Sequence, residues 1–507
     1  MPLLISGSII SPIDKLHYKS LPNAFVYVAD DGLIKAIHQL TPTDAPMTEE
    51  AFLRKVDHRG ELEKLHLAKG EFLIPGLIDT HTHAPQFPNL GAGQEYELLQ
   101  WLDNVVFPME ANFKDVDFAT KAYNRIVERV IDAGTTTCCY YGSLHRDATK
   151  ELAKIAHKFG QRAFVGKCNM DRKSPPYYIE RTEESVPHTK ELIKCIRELS
   201  PSKDGSPYVY PILTPRFAIS TTDKLLEELR DFADSDPTLA IQTHISENPA
   251  EVAEVKELFD YLSKPGNPIT YAGVYDHFHL LRGNTILAHA VHLEEKELKL
   301  IKEREAGISH CPTSNFNLTS GMAKVGDMLD RGIKVGLGTD VGGGFAPSIL
   351  RTIQDASIAA KVVALTSPIK SPDPDSFASK PLKIATLFWL ATLGGAQVCN
   401  LEHKIGSLEV GKSFDAIVVD IRNTHRHSHH QEVSPLNPNI WGVGDDLELG
   451  LDIRRRNDGE DVDDEEKLKQ ELDAMLERLM FCGDDRNLRR VYVQGRWIGG
   501  TEHRRRD

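Results

Sequence analysis

Two histidines stand one residue apart in Leu73-Ile-Pro-Gly-Leu-Ile-Asp-Thr-His-Thr-His-Ala-Pro-Gln86. In an extended strand over 77–83, side chains alternate with period two, so Leu77, Asp79, His81 and His83 share one face and Ile78, Thr80 and Thr82 the other. One rigid strand then presents two imidazoles to one point. Neutral imidazole suits zinc, iron or nickel better than calcium or magnesium. The chain carries 21 histidines, so a lone His-x-His decides little until other residues agree with it.

Other residues do agree. His244 and Glu247 in Thr243-His-Ile-Ser-Glu247, His289, and Asp340 all fall at or just after the ends of short β-rich runs. His81, His83, His244 and Asp340 together offer three imidazoles and a carboxylate, a donor set that leaves a zinc ion room for water and lowers that water's pKa toward ~7. Glu247, three residues after a ligand, is placed to move protons. Asp340 can accept one from water, and His289 can hydrogen-bond the oxygen as it gains charge. His289 is chosen over His292 because it sits at the end of its run. His310, in Ser309-His-Cys-Pro-Thr-Ser-Asn315, fits either the pocket or the rim. Gly336-Leu-Gly-Thr-Asp-Val-Gly-Gly-Gly344 has neither the Lys-Ser/Thr of a phosphate loop nor the dinucleotide spacing, so its glycines are read as letting the backbone turn closely past Asp340.

These residues need elements that bring distant runs to one place. Eight strand-like runs, 77–83, 134–140, 162–167, 208–214, 239–245, 285–290, 307–311 and 333–340, alternate with helical patterns over 117–132, 148–159, 185–199, 222–233, 249–262, 294–305 and 322–331. The alternation predicts an α/β fold, a (β/α)8 TIM-type barrel over 73–404, whose chemistry lies at the C-terminal ends of its strands. Short β-type runs before 73 and again at 405–420 and 488–498 predict a small β-sandwich-like domain built from both chain termini, 1–72 and 405–507. The stretch 41–69 reads as loop with a little helix. A polar insertion over about 424–480 reads as disordered through 467, then as a helix over 465–480 that packs Leu468, Leu472, Met475, Leu476 and Leu479 on the domain surface.

A formal charge of -14 argues against nucleic acid as partner, since neutralising phosphates takes clustered Lys and Arg. No stretch approaches the ~20 apolar residues of a membrane helix. The apolar N-terminus lacks the basic front region and cleavage site of a signal peptide and reads as a first strand. Seven cysteines, an odd number without Cys-x-x-Cys, do not form a disulfide framework and predict a reducing, cytoplasmic setting.

In order along the chain, Pro75-Gly-Leu-Ile-Asp-Thr-His-Thr-His-Ala-Pro-Gln86, Leu99-Gln-Trp-Leu102 with Phe107-Pro108, Pro215-Arg-Phe217, Thr243-His-Ile-Ser-Glu-Asn248, His310-Cys-Pro312, Gly338-Thr-Asp340 and Gly483-Asp-Asp-Arg-Asn487 resemble the amidohydrolase superfamily, and within it the branch that deaminates guanine. The resemblance implies zinc at His81, His83, His244 and Asp340, a proton shuttle at Glu247, and purine contacts from Ala84, Pro85, Gln86, Arg216 and Phe217 beside His244, Glu247 and Asp340. Gln86 offers donor and acceptor, Arg216 donors to a carbonyl, Phe217 a stacking face. It further implies hydrolysis of guanine to xanthine and ammonia, and a homodimer. Two-metal members bridge their ions with a lysine on strand four; 208–216 holds none, which implies one zinc per subunit. A related aminohydrolase of another purine, a pterin or a triazine would keep the same metal set, but Ala84-Pro-Gln86 and Arg216-Phe217 favour guanine. A non-catalytic scaffold of this fold would have lost ligands, and none is lost.

Overall fold

The computed structural model describes residues 1–40, 47–366, 376–422, 437, 439–440 and 464–504. Parallel strands Leu77–His83, Thr135–Tyr141, Arg162–Gly166, Val209–Pro215, Ala240–Ile245, Thr285–His289, Gly307–His310 and Lys334–Leu337 follow one another in chain order around a nearly closed barrel. Every residue of the first strand is buried, because side chains fill the barrel on one face and helices cover the other. The seam between last and first strands is bridged by Asp340 N donating to His81 O (2.9 Å) and Thr80 Oγ1 donating to Leu337 O (2.8 Å).

The helices lie where apolar periodicity put them, with ends moved by a few residues. Val116–Asp132 starts at the Asp115 cap, whose side chain accepts from Asp117 N and Phe118 N, and Asp223–Ser235 starts at the Thr222 cap. Helices beyond those expected include Tyr271–His277, Pro312–Asn317, Ile349–Thr366 and Ile384–Trp389, with shorter ones such as Leu98–Trp101 and Phe107–Ala111. The eighth strand also stops earlier than expected, at Leu337, so Asp340 sits on the turn beyond it.

Both termini build one sheet beside the barrel. Its path runs Arg496–Gly499, Leu488–Val493, Ala416–Asp420, Glu71–Pro75, Leu3–Pro12, Tyr18–Val28, Ile34–Gln39, with Glu63–His66 also on Leu3–Pro12. Pairing is antiparallel except where Leu3–Pro12 meets Glu63–His66 and Glu71–Pro75. The hairpin turn at Gln494-Gly495 has φ of 51° and 69°, the two left-handed residues a two-residue connection needs. Residues 41–46 lie outside those described; 49–55 form a helix and 63–66 the extra strand. Gly76 turns the chain from this sheet into the first barrel strand, and a Cβ there would stand 2.0 Å from Thr136 Oγ1.

Helix Asp464–Cys482 buries Leu472, Met475, Leu476 and Leu479, while Leu468 stays 42% exposed. It packs on Ile349–Thr366 and Tyr18–Val28. The disorder expected over 424–467 falls almost wholly outside the described residues.

Candidate metal centre and substrate cavity

Strand ends bring His81, His83, His244, Glu247, His289 and Asp340 together at one mouth of the barrel. His81 Nε2 lies 3.1 Å from Asp340 Oδ1, His83 Nε2 3.6 Å from the same oxygen, and the Nε2 atoms of His83 and His244 are 3.0 Å apart. His289 Nε2 stands 3.3 Å from Glu247 Oε2 and 3.9 Å from Asp340 Oδ2. All are buried.

Local structure aims each group. His244 Nδ1 is 2.5 Å from Arg216 O, so it carries the proton and leaves Nε2 free as a donor atom. His289 Nδ1 lies 2.9 Å from Asn315 Oδ1. Asp79, one turn of the pleat before His81, accepts from Thr339 N (3.0 Å), Thr339 Oγ1 (2.5 Å) and His81 N (3.2 Å), which ties the first strand to the residue preceding Asp340. Glu247 directly precedes the Asn248 cap of helix Pro249–Leu258. There Glu251 Oε2 accepts from Glu247 N (2.7 Å) and Asn248 N (3.1 Å). Ser246, His289, Ala290 and Asp340 have φ of 47°, 75°, 52° and 45°. Such left-handed backbone costs on the order of 1–3 kcal/mol per residue and persists where surrounding contacts enforce it, as at functional sites.

Burial sets the charges. It pulls His81, His83 and His244 below the ordinary imidazole range, His83 and His244 strongly, so all three are neutral as ligands must be. Burial alone would raise the Asp340 carboxyl, but the hydrogen bond from His81, with the His289 and His83 imidazoles close by, holds it well below the usual carboxylate range. Burial, then the Asp340 charge, pushes Glu247 well above that range. One carboxylate is thus kept ionised beside another kept protonated, the pairing that divides base from acid. His81, His83 and His244 converge closely enough to hold a metal ion, with Asp340 alongside.

His83, His244, Glu247, His289 and Asp340 of this cluster line a cavity also lined by Gln86, Arg216, Phe217 and Trp101. Gln86, Arg216 and Phe217 are expected there on resemblance; Trp101, from the run Leu99-Gln-Trp-Leu102, lines it too. Ala84 and Pro85 are buried in the turn that carries Gln86 but are not among the lining residues. His292 faces elsewhere, its Nε2 2.7 Å from Ser320 O. His310 lines a separate cavity with Ala323, Val325 and Phe377.

Burial, helped by His289, takes His310 down to about 3. Below the ordinary value of 6.5 the unfolded chain therefore binds a proton that the folded chain refuses, and stability drops as pH falls through this window. His310→Gln is expected to gain about 1.4 kcal/mol on the wild type per pH unit below that point, read from denaturant melts at several pH values. A stability difference that ignores pH would contradict the assignment.

Glu110 escaped sequence reasoning. It is fully buried on helix Phe107–Ala111. It accepts from Gln86 Nε2 (2.9 Å), Tyr178 OH (2.7 Å) and Arg216 Nη1 (2.7 Å). Its only signal was position, two residues after the quoted Phe107-Pro108.

The model of the amidohydrolase family matches residues 72–498. The chain is 39% identical over 499 residues to a guanine deaminase of Dictyostelium discoideum, covering 98% of each chain. It is 41% identical over 433 residues to a probable guanine deaminase of Schizosaccharomyces pombe, covering 85% of this chain and 72% of that one. A crystal structure of guanine deaminase from C. acetobutylicum with guanine bound in the active site superposes with a TM-score of 0.77 at 31% identity, covering 98% of this chain and 100% of that one.

Proposed function

This chain belongs to the amidohydrolase family, and from that premise we propose that it hydrolyses guanine to xanthine and ammonia with one zinc ion per subunit. The observation that carries the reading is the convergence of His81, His83 and His244 beside Asp340, with Glu247 within reach of His289, at a cavity walled by Gln86, Arg216 and Phe217. His81, His83, His244 and Asp340 would hold the zinc. When bound, the ion makes water a nucleophile near neutral pH.

The chain's own groups do the rest. Arg216 donates to the C6 carbonyl of guanine, Phe217 covers the ring, and Gln86 reads the polar edge. Asp340 takes a proton from the water as its oxygen adds to C2, while Glu247 gives its proton to N3. Glu247, now ionised, takes the hydroxyl proton from the tetrahedral carbon. Asp340 passes its proton to the departing amine, so ammonia leaves and both carboxyls return to their starting states. His289, 3.3 Å from Glu247, steadies the oxygen as charge develops there.

Purified protein is expected to convert guanine to xanthine and to leave adenine and triazines nearly untouched, followed by absorbance. Equal turnover of adenine or a triazine would overturn the substrate assignment. The reading keeps a barrel over 73–404 beside a composite β-domain from 1–72 and 405–507, with strand Glu71–Pro75 of the terminal sheet running across that boundary. Seven cysteines without a disulfide fit a cytoplasmic setting. The family resemblance favours a homodimer, which light scattering would test.

A further inference from the structure

Glu110 lies outside the reacting cluster, yet it contacts both residues that the proposed reading assigns to the purine edge. Its Oε1 accepts from Gln86 Nε2 at 2.9 Å and its Oε2 from Arg216 Nη1 at 2.7 Å, with Tyr178 OH donating to Oε2 at 2.7 Å. Glu110 and Arg216 are 0% and 3% exposed at the side chain. Phe107, on the same short helix as Glu110, places its ring 5.3 Å from the Arg216 guanidinium carbon.

A carboxylate accepts and never donates, so its contact with Gln86 decides which end of that amide is nitrogen. The other end, Oε1, is buried and has no partner. It rests against Gly342, where a Cβ would stand 2.0 Å from it, so the backbone there keeps room for the oxygen. A buried acceptor without a partner is costly, and a ligand N–H is the group that satisfies it.

We infer that Glu110 is a positioning residue that locks Gln86 as an acceptor and Arg216 as a donor, so that the cavity selects a lactam edge (carbonyl beside N–H) over an amidine edge (amino beside bare ring nitrogen). The inference rests on the guanine reading and sharpens it. The charge pair holds Arg216 aligned without substrate, and the fixed amide leaves a 6-aminopurine facing two mismatched groups. Without the carboxylate, Gln86 can turn its Nε2 into the place of Oε1 and accept the wrong edge.

The test compares guanine with 2,6-diaminopurine, which carries the same 2-amino leaving group on an amidine edge. In the wild type, kcat/KM should favour guanine strongly. Glu110→Gln should shrink that preference roughly ten- to hundredfold, chiefly through a higher KM for guanine. Gln86→Ala should shrink it too, and adding Glu110→Gln to that variant should shrink it by less than the same change does in the wild type, the remainder coming through Arg216. A merely structural role for Glu110 would lower both substrates alike. If Glu110→Gln does not fold, Glu110→Asp keeps a charge beside Arg216 but draws the carboxylate back by one methylene, and the same narrowing is expected from it. Wild-type turnover of guanine with an unchanged preference in the folded variants overturns this inference alone. A wild type that leaves guanine intact overturns the guanine reading and this inference with it.

Discussion

Glu247→Gln should fold, keep its metal and bind guanine, yet lose roughly 10²–10⁴-fold in kcat, the range attributed to a positioned acid or base. The amide matches the carboxyl in shape, so the contact with Ser320 and the backbone bond from residue 247 to Glu251 can persist. What disappears is a proton that can leave and return. In the native site burial and the Asp340 charge keep that proton on Glu247 before substrate arrives, and the same field opposes a lasting negative charge afterwards. The effect should therefore fall on kcat, with KM moving little. Stopped-flow or steady-state turnover, with zinc content measured on the same sample, separates the cases. A variant within tenfold of wild type would show that protons travel by another route.

Metal removal should cost at least as much. Dialysis against a chelator is expected to lower turnover by at least roughly a thousandfold, since several kcal/mol of transition-state stabilisation depend on the ion. Added zinc should restore it. His83→Ala, by contrast, should not be restored, because Asp340, His81 and His244 would have to grip the ion without the imidazole whose Nε2 lies 3.0 Å from that of His244. Metal analysis should then find well under one zinc per chain. Full zinc and full rate in His83→Ala would remove His83 from the ligand set.

Much of this site was legible because its residues obey the period-two rule and the rule that barrel chemistry collects at strand ends. His81 and His83 share a face as alternation requires, and His289 rather than His292 joins the cluster because it ends its strand. Asp340 was identified but misplaced: the strand ends at Leu337, and the glycine-bearing turn with φ of 45° at Asp340 carries the carboxylate inward. Glu110 was not legible. A buried glutamate on a five-residue helix looks like any exposed one until Arg216 and Gln86, far away in the chain, are seen to close on it. Asp79 was read for the face it shares, but its hold on Thr339 depends on the seam between first and last strands, which no local pattern encodes. Helix Ile349–Thr366 was passed over because its apolar residues surround it instead of forming one stripe.

The strand Glu71–Pro75 leads through Gly76 into the histidine-bearing strand, and one of its edges is paired by Ala416–Asp420, more than three hundred residues later. During synthesis, therefore, the segment that carries His81 and His83 leaves the ribosome long before the partner that anchors its base, and Asp340 follows nearly as late. A nascent chain can form helices and single strand pairs as it grows, but the proposed metal centre can be completed only after translation has passed Asp340. Premature zinc can find two imidazoles on such a chain, but not the complete ligand set.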